Sequence, residues 1–268
     1  MKTALTIAGS DCSGGAGIQA DIKSMSANGV FAMSVVTAIT VQNTMGVFGI
    51  QDVNPEIISG QIKAIFDDIK VDAIKVGMVS KIESIKAIGK SLRSVEKLPP
   101  VVVDPVMISK SGFKLLSDDA KETLIEELFQ ISTLITPNLP EAEEILGIKI
   151  SNLEEMKEAA IKLKELGPKY VLVKGGHLED DATDLLYDGK NFIYLKQERI
   201  DTKHTHGTGC TLSSAIAANL AKGMDIEDAV NEGKRYITIA IEHGFELGKG
   251  VGPTNHFYEL YKSSKVTK

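Results

Sequence analysis

Residues 204–210, His-Thr-His-Gly-Thr-Gly-Cys, place two glycines and a cysteine directly before a run of small and apolar residues at helical spacing. This pattern predicts a helix that begins in a glycine-rich loop. The free N–H groups at a helix start carry partial positive charge and bind anions. Gly207 and Gly209 let the backbone approach such an anion without an intervening side chain. We interpret the segment as an anion site; a capped helix with a buried cysteine is the structural alternative.

Cys210 adds a chemical group to this predicted anion site. The field of the helix start is expected to lower the pKa of its thiol and to favour the thiolate. An anion site beside a base is the arrangement that phosphoryl transfer to an alcohol requires. The segment alone therefore indicates anion binding and is compatible with such a transfer.

The elements that position this segment follow from alternating short apolar runs and amphipathic stretches. Runs rich in Val and Ile predict buried parallel strands at residues 4–8, 34–41, 73–76, 101–103, 133–135 and 170–173. Helices are predicted between and after them at residues 16–27, 55–66, 82–95, 118–130, 140–146, 153–166, 208–222 and 226–246. Asp184–Tyr187 and Phe192–Leu195 predict an edge hairpin. The alternation predicts a doubly wound α/β sheet, and no repeat or linker divides residues 1–268, so we expect one domain.

Polar residues at the strand ends predict a ligand cleft, because ligands in open α/β sheets bind at the carboxyl ends of the strands. Asp104 and Glu141 are candidates for a magnesium shell, since Mg²⁺ takes one or two carboxylates together with phosphates and water. A solvated strand end and an ordinary first-turn helix acid are the alternatives. Lys174 is a candidate phosphate clamp, with a surface lysine as its alternative.

Several function classes are disfavoured by the sequence. The net charge of −6 does not indicate a basic surface that would bind nucleic acid. Residues 15–20 fit a dinucleotide fingerprint, but the next strand ends in Gln42 and Asn43 without the acid that would bind a ribose. The histidines at 177, 204 and 206 match no zinc spacing, so we interpret them as loop histidines. The sequence also lacks a signal peptide and a membrane-spanning stretch, and we expect a cytoplasmic protein.

Seven motifs in order resemble the hydroxymethylpyrimidine/phosphomethylpyrimidine kinases of thiamine biosynthesis, which belong to the ribokinase-like superfamily. Among them are Asp-Pro-Val-Met at 104–107, Thr-Pro-Asn-Leu-Pro-Glu at 136–141 and His-Gly-Thr-Gly-Cys at 206–210. The others lie at residues 9–21, 36–43, 75–78 and 173–177. Cys12 stands where the family more often has serine. The resemblance covers essentially the whole chain.

The resemblance implies a three-layer α/β/α ribokinase-like fold whose mostly parallel central sheet carries an antiparallel edge hairpin. It implies ATP, Mg²⁺, a homodimer and two successive phosphorylations of 4-amino-5-hydroxymethyl-2-methylpyrimidine. The roles it implies for the substrate are hydrogen bonds from Asp21 and Gln42 and ring packing by Met78 and Val106. For catalysis it implies an anion hole of Gly207, Thr208 and Gly209 and a base at Cys210. It also assigns the metal to Asp104 and Glu141, and the nucleotide phosphates to Asn138 and Lys174.

Two alternative functions remain at this point. Pyridoxal kinases share the fold and the Gly-Thr-Gly-Cys motif, and one branch carries a second cysteine in a flap after Asp-Pro-Val-Met. Ser109 stands there in this chain, and serine is the poorer nucleophile. Residues 109–116 are a candidate lid. The other alternative is a sensor that binds a pyrimidine without phosphorylating it, although Cys210, Lys174 and the carboxylates argue for an enzyme.

Overall fold

The computed structural model describes residues 1–108, 112–117, 119–176 and 183–264. Its nine-stranded sheet has the order β3-β2-β1-β4-β5-β6-β7-β8-β9. The strands are β1 (Thr3–Asp11), β2 (Phe31–Asn43), β3 (Gly46–Asp52), β4 (Ala73–Val76), β5 (Val101–Val103), β6 (Leu134–Ile135), β7 (Tyr170–Val173), β8 (Asp184–Tyr187) and β9 (Phe192–Leu195). Strands β2, β1, β4, β5, β6 and β7 run parallel. Strand β3 pairs antiparallel with β2, and β8 pairs antiparallel with both β7 and β9. The predicted doubly wound sheet with an edge hairpin is confirmed.

Helices cover both faces of this sheet. They are α1 (Gly17–Ala27), α2 (Pro55–Asp68), α3 (Ile82–Arg93), α4 (Lys121–Glu127), α5 (Leu139–Leu146), α6 (Leu153–Glu165), α7 (Thr208–Ala221), α8 (Ile226–Glu242) and α9 (Tyr258–Ser264). One apolar core joins alternate strand residues to α2 through α6, and the other joins the opposite face to α1, α7 and α8. The three layers that the resemblance implied are therefore present.

Helix α7 lies deepest of all the described helices. Every residue from Thr211 to Ala221 is buried, and the stretch is rich in alanine and serine. Small side chains let this helix pack closely against the sheet and its neighbours. Its start is thereby held rigidly at the carboxyl ends of the central strands.

Four elements differ clearly from the sequence prediction. Strand β3 follows a tight turn at Thr44 and Met45. It was not predicted, because its mixture of Gly, Phe and Gln does not form a continuous apolar run. The helix predicted at residues 118–130 is a shorter α4 followed by the 3-10 turn Phe129–Ile131. Helix α8 ends at Glu242, four residues earlier than predicted, and α9 forms where no helix was expected. Within the described residues, no helix is both long and apolar enough to span a bilayer.

Candidate active site

A cavity of about 870 Å³ opens at the carboxyl ends of the parallel strands. This is the edge at which open α/β sheets bind their ligands. All but one of the predicted site residues line it: Gln42, Met78, Asp104, Val106, Asn138, Glu141, Lys174, Gly207, Thr208, Gly209 and Cys210. Residues scattered over most of the chain therefore meet in one space.

The start of α7 forms one end of the cavity. Gly207 adopts a left-handed conformation with φ 76°, and a Cβ added there would lie 1.8 Å from the carbonyl oxygen of Gly15. Only glycine fits both conditions. The first helical hydrogen bond runs from the N–H of Thr211 to the carbonyl of Gly207, at 2.9 Å. The N–H groups of Gly209 and Cys210 precede that bond, so they are available to an anion.

Lys174 and Asp104 form an ion pair beside these N–H groups. Lys174 Nζ lies 2.9 Å from Asp104 Oδ1, which also accepts a hydrogen bond from Thr136 at 3.1 Å. A Cβ added at Gly209 would lie 3.3 Å from both Asp104 Oδ2 and Lys174 Nζ. Burial alone would lower the pKa of Lys174, but Asp104 and Glu141 raise it above its ordinary value. The site therefore carries a fixed positive charge next to the helix start.

Asn138 and Glu141 form a capping box at the start of α5. The N–H of Asn138 donates to Glu141 Oε2, and the N–H of Glu141 donates to Asn138 Oδ1, each at 2.9 Å. The oxygen of the Asn138 amide is occupied by the cap, so its NH₂ group is the part left to meet a ligand.

The Glu141 carboxyl is buried near both Lys174 and the carboxylate of Asp104. Burial raises its pKa to about 7; Lys174 lowers it, and the charge of Asp104 raises it further. A cation near both carboxylates would relieve this repulsion. The described residues contain no cluster of three or more His, Cys, Asp or Glu side chains, but Mg²⁺ requires only one or two carboxylates. Asp104 and Glu141 therefore fit the predicted metal.

The prediction that Cys210 is a thiolate is wrong for the free protein. Burial raises the pKa of its thiol to about 11; Lys75 lowers it, and Asp21 and Asp104 raise it. The desolvation of the sulfur and two nearby carboxylates outweigh the field of the helix start. Cys210 is therefore a neutral thiol at pH 7.

Asp21 is the predicted site residue that the structure does not bring to the cavity. Its side chain is fully buried, and Lys75 Nζ lies 2.9 Å from both carboxylate oxygens. Thr6 and Ser214 donate further hydrogen bonds to it at 2.6 and 2.7 Å. Because these partners occupy both oxygens, the expectation that Asp21 contacts a pyrimidine is not met. The carboxylate instead ties α1, α7, β1 and β4 together beneath the cavity.

The remaining wall combines an apolar patch with a polar one. Met78 packs in a small cluster with Ala38 and Leu115, and Val106 lies against it. Gln42 lies 3.1 Å from Thr40 and 3.4 Å from His206 across the cavity wall. Such a wall suits a flat ring with polar edge groups.

Asp11 and His206 are among the polar residues that line the same cavity without a predicted role. His206 Nε2 and Asp11 Oδ2 lie 2.9 Å apart. His206 was interpreted as a loop histidine because no sequence partner was evident. The Asp-Cys-Ser-Gly-Gly run, in which an aspartate faces several following backbone N–H groups, was the available signal for Asp11.

The opening of the cavity joins two distant parts of the chain. The N–H of Val251 donates to the carbonyl of Thr44 at 2.9 Å, and the N–H of Gly250 approaches Thr44 Oγ1 at 3.2 Å. The loop before Thr254 thereby closes on the β2–β3 turn. His177, Ser109 and part of the predicted lid at 109–116 lie outside the described residues.

Known proteins similar to this chain include phosphomethylpyrimidine kinases and a pyridoxal kinase. The phosphomethylpyrimidine kinase family matches residues 11–255. A hydroxymethylpyrimidine/phosphomethylpyrimidine kinase of Rhizobium meliloti is 50% identical over 97% of this chain and 98% of its own. A solved phosphomethylpyrimidine kinase of Clostridium difficile is 52% identical, covers 90% of this chain and 100% of its own, and has a TM-score of 0.80. A Bacillus subtilis pyridoxal kinase solved with ADP is 41% identical, with 96% and 98% coverage and a TM-score of 0.89.

Proposed function

Because the chain belongs to the phosphomethylpyrimidine kinase family, we propose that it uses ATP to phosphorylate hydroxymethylpyrimidine and then the resulting monophosphate, in thiamine biosynthesis. The observation that carries this proposal is the convergence of the α7 start, the Lys174–Asp104 pair and the Gln42 wall on one cavity. A phosphate site next to a ring-sized wall is what a kinase of a small aromatic alcohol needs.

The pyrimidine ring that receives the phosphoryl group packs on Met78 and Val106, and the amide of Gln42 forms hydrogen bonds with the polar edge of this ring. This placement directs the hydroxymethyl group toward Cys210 and the start of α7. The N–H groups of Gly209 and Cys210 then receive the negative charge of the transferred phosphoryl group. Lys174 and the NH₂ group of Asn138 hold the nucleotide phosphates.

Asp104 and Glu141 would hold Mg²⁺ at this point. The ion would neutralise charge on the phosphates as the phosphoryl group moves. A bound cation would also keep Glu141 ionised, since burial and the charge of Asp104 raise the pKa of this carboxyl.

Cys210 takes the hydroxyl proton in this proposal. A thiol with a pKa of about 11 is almost entirely protonated at neutral pH. The small thiolate fraction then limits the benefit from base catalysis, and most of the rate enhancement comes from positioning and charge stabilisation.

The assembly that fits this chain is a homodimer. The β2–β3 hairpin exposes four large apolar side chains, Ile39, Val41, Met45 and Phe48, each between 52% and 65% exposed. Ile39 and Val41 alternate along β2 and so share one face of the strand. An exposed apolar group of this kind is typical of a protein–protein interface, and a second copy of the chain would cover it.

Because the enzyme consumes ATP, we place it in the cytoplasm.

A mass-spectrometric assay with Mg-ATP tests the function. Hydroxymethylpyrimidine, its monophosphate and pyridoxal are supplied separately, because a pyridoxal kinase is among the similar structures. We expect diphosphate from both pyrimidines and slow conversion of pyridoxal. Fast formation of pyridoxal phosphate without pyrimidine diphosphate would overturn the proposal, and binding of the pyrimidine without any phosphorylation would identify a sensor.

A further inference from the structure

One wall of the cavity contains a buried aspartate–histidine pair. Asp11 Oδ2 accepts hydrogen bonds from the N–H groups of Gly15 and Ala16, at 3.1 and 2.8 Å. The same oxygen lies 2.9 Å from Nε2 of His206, whose side chain is 8% exposed. The other oxygen, Oδ1, accepts from the N–H and hydroxyl of Ser13 at 2.9 and 2.7 Å. The carboxylate is therefore fixed in place before it contacts the ring.

This carboxylate determines where His206 carries its hydrogen. Burial alone would raise the pKa of Asp11, but hydrogen bonds from His206, Ser13 and the backbone lower it to about 2. An ionised carboxylate only accepts hydrogen bonds. His206 Nε2 must therefore carry a hydrogen and donate it to Asp11.

The Gln42 amide lies between the Thr40 hydroxyl and the His206 ring. Its oxygen accepts a hydrogen bond from Thr40 Oγ1 at 3.1 Å, but that hydroxyl has one hydrogen and also donates to the carbonyl of Ser10 at 2.9 Å. Its nitrogen lies 3.4 Å from His206 Nε2, so two donors face each other there. A half-turn of the amide exchanges its oxygen and nitrogen. The amide oxygen then shares the His206 hydrogen with Asp11, and the amide NH₂ donates to Thr40 Oγ1, whose hydrogen stays with Ser10.

We propose that His206, oriented by Asp11, is a specificity-determining positioning residue that fixes which way the Gln42 amide faces. The amide oxygen points to the N–H of His206, and the amide NH₂ points to Thr40 Oγ1. This inference rests on the proposed function, because it concerns the ring that Gln42 reads.

The fixed amide discriminates between two kinds of ring edge. Gln42 keeps one N–H and one oxygen lone pair for the ligand, in a set order. A ring nitrogen beside an exocyclic amino group offers an acceptor and a donor that match this order. A ring N–H beside an oxo group offers the reverse order. A donor would then face a donor, and an acceptor would face an acceptor. The site therefore selects 4-amino over 4-oxo pyrimidines.

The backbone prevents His206 from moving away. A Cβ added at Gly15 would lie 2.1 Å from Cδ2 of the His206 ring. The ring thus lies directly against the Gly15 backbone. Gly15→Ala is expected to displace the ring and to reproduce the effect of removing it.

Binding measured by calorimetry without nucleotide tests the proposal. The probes are 4-amino-5-hydroxymethyl-2-methylpyrimidine and its 4-oxo counterpart. We expect the wild type to prefer the amino compound by about a hundredfold. His206→Phe keeps a ring but removes the N–H, and we expect the preference to fall about tenfold or more because the amide then turns to suit either probe. His206→Gln returns a donor and should restore most of the preference. His243→Phe is the matched control, since His243 is exposed and stacks on Tyr258.

Two results would overturn this role. If His206→Phe weakens both probes equally and leaves their ratio unchanged, His206 is a packing residue only. Nitrogen-15 NMR of the free protein gives a second test, because it distinguishes a protonated Nε2 in His206 from an unprotonated one. An unprotonated Nε2 refutes the proposed orientation whatever the ligand. Failure of the wild type to bind either pyrimidine would instead refute the proposed function, and the NMR signal would still decide the His206–Asp11 arrangement.

Discussion

At the scale of single residues, the structure places two aspartates differently that the sequence could not distinguish. Asp21 and Asp104 are both aspartates in motifs that the resemblance assigns to the site. The first is fully buried and bound by Lys75, whereas the second lines the cavity. Motif position could be predicted from the sequence, but the partner of a buried charge depends on side chains from distant elements. For the same reason the raised pKa of Cys210 was not foreseen.

The state of Cys210 gives a prediction for the pH dependence of turnover. A base must be deprotonated, so kcat is expected to rise with pH until the pH passes the pKa of the thiol, about 11. Between pH 7 and 9 the thiolate fraction rises about tenfold per unit, and kcat should follow if proton removal limits the rate. Steady-state kinetics with saturating Mg-ATP measure this slope.

The Cys210→Ala variant is the control for that profile. Its kcat should fall by less than the roughly 10²–10⁴-fold that a fully deprotonated base supplies, and it should lose the dependence on pH, while its unfolding midpoint stays close to that of the wild type. A variant with near-normal kcat would show that Cys210 is not the base.

The buried Lys75–Asp21 pair gives a prediction for stability. Lys75→Met leaves the Asp21 carboxylate buried without its cation, and it is expected to lower the free energy of unfolding by about 3–5 kcal/mol. The double variant Lys75→Met/Asp21→Leu removes both charges and should recover much of the loss. Urea denaturation followed by circular dichroism measures each value.

A matched control is available on the surface. Lys63 and Asp67 form an ion pair with both side chains more than half exposed, so Lys63→Met should leave the denaturation midpoint almost unchanged. A similar midpoint for Lys75→Met and wild type would contradict the assigned role of the buried pair.

At the scale of elements, the strongly periodic and strongly apolar segments could be predicted from the sequence, and the edge segments could not. Strands β4, β5 and β7 match their predicted bounds, because buried Val and Ile runs give a clear pattern. Strand β3 was missed because an edge strand has no need of a continuous apolar run. The start of α7 was predicted correctly from two glycines and a threonine, since backbone chemistry is local.

The close approach at Gly209 gives a prediction for that helix start. Gly209→Ala adds a Cβ 3.3 Å from both Asp104 Oδ2 and Lys174 Nζ, so the ion pair must move. We expect kcat/KM for ATP to fall about tenfold or more, while alanine in the first turn leaves stability unchanged or slightly higher. Steady-state kinetics and thermal denaturation measure the two effects separately.

Gly60→Ala is the matched control for this change. Gly60 lies inside α2, and an added Cβ there has open space around it. This variant should gain up to about 1 kcal/mol in stability and keep its activity. Equal kinetics for Gly209→Ala and wild type would argue against a phosphate site at the start of α7.

At the scale of the whole molecule, the exposed β2–β3 hairpin gives a prediction for assembly. Val41→Lys places a charge on the apolar face of β2, and it is expected to convert the proposed dimer to a monomer. Sedimentation velocity across a range of protein concentrations measures the change. Leu260→Lys, at a position half exposed on α9, should leave the sedimentation coefficient unaltered. A wild type that sediments as a monomer at all concentrations would refute the dimer.

The contact between Thr44 and the loop at Gly250 and Val251 has a consequence for synthesis on the ribosome. The chain emerges from its N-terminus, so strands β1 and β2 leave the exit tunnel long before that loop exists. The cavity opening needs both segments, since their backbone hydrogen bonds close it. A nascent chain that has been synthesised only to residue 245 can form the sheet as its strands emerge, but it lacks one side of the ligand site. Catalytic competence is therefore acquired only after the loop at Gly250 and Val251 has left the exit tunnel.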